Sequence, residues 1–269
     1  MSKQRIDLLL VERGLVESRS LAQRLVMAGQ VRADGQVVPK ASVQVPEHAV
    51  LEIDHGPAYV SRGGEKLAGA LAAFDFQVTG RVCADVGAST GGFTDCLLQN
   101  EAAKVYAIDV GKGILHWKLR QDERVVVMES TNARHVERLP EPVELVTIDA
   151  SFISLKVLLP VIRAWFGGIE GEVIALIKPQ FEAGRKEAGR GKGVIRDPEV
   201  HLRVLMDVLS FAVSQGYTVR DLAQSPIQGP KGNVEFLAHL VYPGETSQGD
   251  FSDLLHKALP DLDTPDEIS

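Results

Sequence analysis

The sequence predicts an α/β protein in which a mostly parallel sheet with flanking helices follows a small basic α+β module. Apolar runs ("RVCADVGA", "KVYAID", "ELVTID" and "EVIALIK") alternate with amphipathic stretches, which is typical of βαβ units. The later runs end on Asp109, Asp149 and Lys178, and functional residues of such sheets lie at the carboxyl ends of strands. Residues 1–40 hold seven Lys/Arg against four Asp/Glu, although the whole chain has a formal net charge of -7.

Composition excludes several classes of protein. The chain has 269 residues, of which 45% are hydrophobic and 24% charged, as in ordinary globular proteins. No apolar run approaches the roughly 18 residues that cross a bilayer, and charges interrupt the short apolar run at the start, unlike a signal peptide. Cys83 and Cys96 cannot form a disulfide framework, so we expect reduced thiols and a cytoplasmic protein.

The basic module is predicted over residues 1–55. A short helix over 6–13 stops at Gly14, and a second helix begins after Ser18, a good N-cap residue. Asp34-Gly35 then marks a hairpin between two short strands. A linker over 56–62 leads to the sheet domain, predicted over 63–243. Residues 244–269 carry seven acids against one lysine, which predicts an acidic tail whose end, "PDLDTPDEIS", is disordered.

Arg19 lies in the first turn of the second helix, where the helix dipole disfavours a cation. One interpretation is a solvated arginine that costs a few tenths of a kcal/mol. The other is that Arg19 and the free helix amides share an anion such as an RNA phosphate. These two interpretations stay open at the level of sequence.

The segment "RIDLLLVERGLVESRSLAQRLVMAGQVRADGQVV" resembles an S4 RNA-binding domain, with a Ser-Arg pair that opens the second helix. The resemblance covers about residues 4–53. It implies that the face of the second helix and neighbouring basic residues contact structured RNA. The RNA-binding residues implied are Arg5, Arg19 and Lys40.

The loop "DVGASTGGFTD" follows the first strand of the sheet domain and indicates a nucleoside cofactor. Its glycines are spaced G-x-x-x-G-G, which is not the dinucleotide pattern G-x-G-x-x-G. Asp85 would repel a pyrophosphate but suits a cation such as the amino group of S-adenosylmethionine. Asp109 stands where an acid accepts ribose hydroxyls, and Asn132 follows the third strand, where it would contact adenine. The predicted cofactor-binding residues are Asp85, Gly87, Ser89, Thr90, Gly91, Gly92, Phe93, Thr94, Asp109, Asn132 and Asp149.

Two lysines and two acids are candidates for the catalytic residues: Lys66, Asp149, Lys178 and Glu235. We expect Lys66 directly before a helix, Asp149 and Lys178 at adjacent strand ends, and Glu235 at the head of a strand. Burying charges costs free energy, so a purely structural role explains four such residues poorly. The set fits methyl transfer to a ribose 2′-hydroxyl, in which Lys178 is the general base and Asp149 positions it. The free pKa of lysine is about 10.4. A second lysine nearby and partial burial both lower this pKa, as a general base requires.

The order K–D–K–E resembles the tetrad of the FtsJ-like ribose 2′-O-methyltransferases. Together with the basic module, "SRGGEKL", "DASFISL", "LIKPQFE" and "SPIQGPKGNVEFL" are similar to the TlyA family, whose members are often labelled hemolysin A. The resemblance implies a seven-stranded Rossmann-like sheet closed by an antiparallel pair, "YTVRDLAQ" and "VEFLAHLVY". It also implies S-adenosylmethionine as cofactor and ribosomal RNA or a ribosomal subunit as partner, with a cytidine ribose as the methylated group. Lys112-Gly113-Ile114 departs from the family pattern, so contacts after Asp109 are less defined.

Three other functions remain open from the sequence. These are a non-catalytic RNA-binding factor in ribosome assembly, a membrane-acting hemolysin, and a methyltransferase for a small molecule or protein. We assign no metal ligands and expect no metal and no membrane partner. The basic, glycine-rich segment 182–197 is either a mobile solvated loop or a lid that closes over RNA.

Overall fold

A computed structural model describes residues 2–54, 56–184, 187, 193–244 and 250–260 of the chain. The chain divides into two compact units, Met1–Ala58 and Tyr59–Ser269. The division falls inside the segment 56–62 that the sequence marks as a linker. The end of the predicted tail, 261–269, and most of the basic stretch of segment 182–197 lie outside the described residues.

In its described residues, 2–54 and 56–58, the N-terminal unit contains two helices and five short strands. These elements are β1 (Lys3–Arg5), α1 (Ile6–Glu12), α2 (Arg19–Met27), β2 (Val31–Ala33), β3 (Gln36–Val37), β4 (Gln44–Pro46) and β5 (Leu51–Ile53). β1 pairs with β4, and β2 pairs with both β3 and β5, all antiparallel. One apolar core, with Ile6, Leu10 and Val26 at its centre, lies between the helices and strands.

The predicted start of α2 and the predicted hairpin are both confirmed. Ser18 Oγ accepts a hydrogen bond from the Leu21 amide at 3.2 Å, as an N-cap side chain does. β2 and β3 pair on either side of Asp34 and Gly35, and both turn residues have positive φ, 49° and 78°. A two-residue turn of this kind matches the twist of the flanking strands.

The second unit is built on one seven-stranded sheet. Its strands are β6 (Val82–Val86), β7 (Lys104–Ile108), β8 (Val125–Met128), β9 (Leu145–Ile148), β10 (Gly171–Ile177), β11 (Thr218–Gln224) and β12 (Phe236–Tyr242). Its α-helices are α3 (Gly63–Ala73), α4 (Gly92–Gln99), α5 (Trp117–Arg120), α6 (Leu155–Ile162), α7 (Pro179–Glu182), α8 (Pro198–Ser214) and α9 (Ser252–Ala258).

The strands follow the order β11-β12-β10-β9-β6-β7-β8. The five strands from β10 to β8 pair in parallel, and β12 is antiparallel to both of its neighbours. The predicted seven-stranded sheet and its closing antiparallel pair are therefore confirmed. The strand order reverses its direction of growth at β6 and β9, which makes the edge beyond their carboxyl ends the expected ligand crevice.

Alternate residues of the strands face two apolar layers. On one side, Cys83, Val105 and Ile174 pack with residues of α3, α4 and α5. On the other side, Ala84 and Val173 pack with residues of α6, α8 and α9. Because both faces are covered, the strands are almost continuously apolar, and polar side chains among them stand out.

α9 lies within the segment 244–269 that the sequence marked as an acidic tail. Phe251, Leu255, Ala258 and Leu259 of this segment are buried, and they pack into the apolar layer beside β11. Their spacing places them on one face of a helix. The predicted tail was based on the number of acidic residues, which does not reveal an apolar helix face. The tail prediction is therefore corrected over residues 251–259.

Candidate active site

The carboxyl ends of β6, β9 and β10 border a cleft of about 960 Å³. All four predicted catalytic residues line it, and they form two ion pairs. Lys178 Nζ lies 2.5 Å from Asp149 Oδ1, and Lys66 Nζ lies 2.6 Å from Glu235 Oε2. Lys66, Lys178 and Glu235 are at most 8% exposed. Removing one partner of such a pair strongly destabilises a protein, because the other charge is then buried without compensation.

The chain positions Asp149 and Lys178 through neighbouring parallel strands. Asp149 directly follows β9 and Lys178 directly follows β10, and the two strands pair in register from Leu145 with Glu172 onward. Lys178 is also the residue before Pro179, which begins α7. Because a residue before proline is held in an extended conformation, the lysine stays at the strand end and points its amine to the cleft.

Additional groups fix the two lysines. Lys178 Nζ donates to Ser151 Oγ at 3.0 Å, and Gln180 Nε2 donates to Glu235 Oε1 at 3.2 Å. Gly229 approaches Glu235 so closely that a Cβ there would lie 2.6 Å from Oε1. Lys66 lies within α3 rather than directly before it, because the helix already begins at Gly63. This corrects the predicted helix start and leaves the amine in the cleft.

The glycine loop after β6 lies against the end of β9. Gly87 has a φ of 83°, and a Cβ at this position would lie 2.7 Å from the carbonyl oxygen of Asp149. Only glycine fits this conformation and this approach. Five of the predicted cofactor-binding residues line the cleft: Gly87, Ser89, Thr90, Gly92 and Phe93.

A second cavity of about 270 Å³ adjoins the cleft. Gly87, Ser89, Asp149, Ser151 and Phe152 line both cavities. The smaller cavity is also lined by two further predicted cofactor-binding residues. Asp109 directly follows β7, and Asn132 follows β8. The two adjoining cavities at the ends of the strands are together called the groove.

Asp109 connects the two loops that border the smaller cavity. Its Oδ2 accepts from the Ser89 amide at 2.8 Å, and its Oδ1 accepts from the Gly111 amide at 2.7 Å. Each carboxylate oxygen keeps a further lone pair for a ligand hydroxyl. The arrangement is suitable for holding the ribose of a nucleoside.

Glu129 organises the loop after Asp109, and the sequence analysis did not identify it. Its carboxylate accepts from the amides of Gly113, Ile114 and Leu115, at distances between 2.7 and 3.1 Å, and it pairs with Arg120. The Arg120 guanidinium, together with these amides, lowers the pKa of Glu129 to about 2. The loop that departs from the family pattern in sequence is thus held by an acid fifteen residues away from Ile114.

Asp85 does not contact either cavity. It is fully buried, and its carboxylate accepts from Thr94 Oγ1 at 2.7 Å and from Thr147 Oγ1 at 3.2 Å. Burial raises the pKa of Asp85 to about 7, and the nearby charge of Asp149 adds to this effect. The predicted direct contact with a cofactor amino group is corrected here, because Asp85 and Thr94 face each other inside the protein and tie β6 to α4. Gly91 also lies away from the cleft, against Leu115 and Leu119.

Phe152 is an exposed aromatic residue of the groove that the sequence analysis did not identify. It is 91% exposed, has a φ of 63°, and lies where the two cavities meet. Its ring centroid is 4.9 Å from that of Phe181. A large aromatic residue in a left-handed conformation is rare and commonly marks a functional site. Its signal in sequence is an aromatic residue three positions after a candidate catalytic acid.

The described end of the basic segment is anchored beside the cleft. Asn233 Nδ2 donates to the Gly193 carbonyl at 2.9 Å, and Asn233 Oδ1 accepts from the Ile195 amide at 2.9 Å. Asn233 is 4% exposed. Four of the basic residues singled out for a lid, Arg185, Lys186, Arg190 and Lys192, lie outside the described residues.

The predicted RNA-binding residues lie on the N-terminal unit. Lys40 is exposed, and Arg19 is about half exposed. Arg19 has a partner within the protein that the sequence did not reveal, because its Nε donates to Asp7 Oδ2 at 2.9 Å. Arg5 donates to the same carboxylate through Nε and Nη2.

Metal-binding clusters and membrane-spanning helices are both absent from the described part of the chain. No group of three or more His, Cys, Asp or Glu side chains there is placed to hold a metal ion. Within the same residues, no helix has both the length and the apolarity needed to cross a membrane.

The chain is similar to known proteins over almost its whole length. The FtsJ-like methyltransferase family matches residues 59–242, and the S4 domain matches residues 4–51. The 16S/23S rRNA (cytidine-2′-O)-methyltransferase TlyA of Mycobacterium tuberculosis is 43% identical over 263 residues, which is 96% of this chain and 97% of its own length. Hemolysin A of Brachyspira hyodysenteriae is 40% identical over 240 residues, or 88% of this chain and 99% of that protein. A solved structure from Streptococcus thermophilus has a TM-score of 0.72 at 43% identity, covering 97% of this chain and 96% of that one.

Proposed function

This chain belongs to the TlyA family of FtsJ-like methyltransferases and carries an S4 domain, and we propose that it methylates the ribose 2′-hydroxyl of ribosomal RNA. The proposed cofactor is S-adenosylmethionine, the proposed target nucleotide a cytidine, and the proposed compartment the cytoplasm. The target is suggested by relatives whose names specify cytidine 2′-O-methylation of 16S and 23S rRNA.

One observation carries the proposal. Lys66, Asp149, Lys178 and Glu235, which lie far apart in sequence, meet in one cleft beside the glycine loop. The cleft thus gathers two lysine amines and two carboxylates around one space. A structural role does not require both pairs, because each is buried at a cost that apolar side chains would avoid.

The groove suits the proposed cofactor on the basis of its own residues. Asp109 and Asn132 line the smaller cavity, where they would hold a nucleoside. The glycine loop brings backbone groups to the junction with the larger cleft. When bound, the cofactor supplies the methyl group.

The catalytic residues act on the acceptor hydroxyl. Lys178, as the neutral amine, takes the proton from the 2′-oxygen at Nζ, which makes that oxygen nucleophilic. Asp149 and Ser151 hold the amine in place at 2.5 and 3.0 Å. Glu235 fixes Lys66 at the opposite side of the cleft, where its ammonium stabilises negative charge that develops on the ribose oxygen.

Phe152 is suited to hold the target base. A nucleotide whose ribose enters the cleft must leave its stack, and the unstacked base needs an aromatic surface. Phe152 offers such a surface at the junction of the cavities, and Phe181 supports its ring. Base–aromatic stacking contributes about 1–3 kcal/mol.

The test is transfer of a labelled methyl group from S-adenosylmethionine to ribosomal subunits that lack the modification. Wild type is compared with Lys178→Ala and with Lys104→Ala, a matched control whose lysine is also ion-paired, to Glu141, but lies at the start of β7 away from the cleft. Label on a ribose 2′-oxygen with wild type and Lys104→Ala, and none with Lys178→Ala, supports the proposal. If the wild-type protein binds the subunits and transfers no label, the chain is a non-catalytic RNA-binding factor.

A further inference from the structure

A buried carboxylate joins the two arginines that the S4 resemblance assigns to RNA binding. Asp7 has no solvent exposure and accepts four hydrogen bonds. Arg5 donates two of them, from Nε at 3.0 Å and from Nη2 at 2.9 Å. Arg19 Nε donates the third at 2.9 Å, and Gln23 Nε2 donates the fourth at 3.0 Å.

The two guanidinium groups are held at one end and exposed at the other. The side chain of Arg5 is 37% exposed and that of Arg19 is 52% exposed. Within the described residues, no hydrogen bond engages Nη1 of Arg5 or either Nη group of Arg19. These free N–H groups belong to side chains that are anchored on the same carboxylate. The two guanidinium groups and the Asp7 carboxylate together carry a net charge of +1.

We propose that Asp7 is a positioning residue that fixes Arg5 and Arg19 as one preorganised site for a backbone phosphate of RNA. The inference rests on the proposed function, since it assumes that the N-terminal unit binds the RNA substrate. Arginine presents its donors in a rigid planar fork, so fixing Nε fixes the direction of the remaining N–H groups. Two forks fixed in this way lose less conformational entropy on binding than two free side chains.

The alternative is that Asp7 stabilises the fold only. It lies in the first turn of α1, where a carboxylate also interacts favourably with the helix dipole. The two roles are separated by the sign of the effect on RNA binding. Removing a negative charge near RNA strengthens binding if electrostatics alone acts, because phosphate is anionic. Removing a positioning residue weakens it.

The experiment measures the affinity of the full chain for unmodified transcripts of 16S and 23S ribosomal RNA at several salt concentrations. Asp7→Asn keeps the shape of the side chain but replaces one acceptor oxygen by an NH₂ group that faces the arginine donors. Glu17→Gln is the matched control, because Glu17 is exposed between α1 and α2 and its replacement makes the same change in charge. Thermal melting of each variant establishes that the assay is run on folded protein.

A second variant keeps the test decisive if Asp7→Asn does not fold. Arg19→Lys retains the charge but has neither the Nε donor that bonds Asp7 nor the planar fork. If charge alone binds the phosphate, Arg19→Lys has the affinity of wild type. If the positioned fork binds it, the variant binds more weakly by about fivefold or more, the scale of one lost hydrogen bond to a charged group.

We expect Asp7→Asn to bind at least about fivefold more weakly than wild type and to reduce the salt slope by about one. Glu17→Gln should change affinity by less than about twofold, toward tighter binding. Asp7→Asn or Arg19→Lys binding as well as wild type, or better, overturns the inference and leaves the proposed function standing. If the wild-type chain binds neither transcript, the inference is overturned, whereas the proposed activity on ribosomal subunits is decided separately by the label-transfer test.

Discussion

Lys178 Nζ lies 2.5 Å from Asp149 Oδ1, although 28 residues separate the two in the chain. The contact follows from the pairing of β9 and β10 as parallel neighbours. Asp149 directly follows β9, and Lys178 directly follows β10. The sheet therefore sets the distance between the proposed base and its positioning acid.

Replacing the amine of Lys178 should abolish most of the activity. We expect Lys178→Ala to reduce the rate of methyl transfer by about 10²–10⁴-fold, the usual contribution of a general base, while S-adenosylmethionine binding persists. Single-turnover kinetics with ribosomal subunits and calorimetric titration of the cofactor measure the two effects. Undiminished turnover would remove Lys178 from its role.

Removing the ring of Phe152 should affect RNA rather than the cofactor. We expect Phe152→Ala to lower kcat/KM for ribosomal RNA by about 5- to 100-fold, as the loss of one stacked base implies, with little change in cofactor affinity. Ile169→Ala is the control, since Ile169 is an exposed apolar residue outside both cavities. Equal losses in the two variants would indicate a general effect of surface apolarity.

Glu129 should control cofactor affinity without touching the reaction. Glu129→Gln weakens the acceptor for three backbone amides of the loop 113–115, which borders the smaller cavity through Ile114. We expect cofactor affinity to fall by about tenfold and kcat at saturating cofactor to stay near wild type. Calorimetry with Glu141→Gln as the control tests this. Because the pKa of Glu129 is lowered to about 2, its contribution is complete above about pH 4.5 and is lost as the pH falls toward 2.

Asp85 should make the stability of the catalytic unit depend on pH. Its pKa is raised from 3.8 to about 7, so the folded protein binds more protons than the unfolded chain between these values. Stability therefore falls as the pH rises from about 4 to about 7. Asp85→Asn removes this part of the slope and should be more stable than wild type above pH 7, by a few kcal/mol at most, since one pKa unit corresponds to about 1.4 kcal/mol.

Chemical denaturation at pH 5 and pH 8 checks the prediction for Asp85. The control is Asp75→Asn, at an exposed position whose φ of 48° asparagine accepts readily. A difference between wild type and Asp85→Asn that is the same at both pH values would contradict the argument. The control should show no such pH-dependent difference.

The sequence predicts the sheet and the ends of its strands well because both depend on local patterns. Apolar runs identify β6, β7, β9 and β10, and the polar residues that directly follow β7, β9 and β10 line the groove. Two of the four candidate catalytic residues were located in this way, since Asp149 and Lys178 follow strands whose parallel pairing brings them together.

Side-chain partners outside the local pattern could not be predicted. Asp85 was expected to contact a ligand, but Thr147, 62 residues away in the chain, is its partner on the neighbouring strand. Arg19 was considered either solvated or bound to an anion, and its hydrogen bond to Asp7 in the preceding helix was not foreseen. Both depend on tertiary pairing, and a charge count carries no information about it.

The shared wall between the two cavities has a consequence for inhibition. Because Asp149, Ser151 and Phe152 border both spaces, one molecule that fills the smaller cavity and extends past Phe152 would occupy the positions of donor and acceptor together. Such a bisubstrate compound gains affinity from linking two modest binders, since the second contact becomes intramolecular. It would also discriminate against methyltransferases that lack an aromatic residue at this junction.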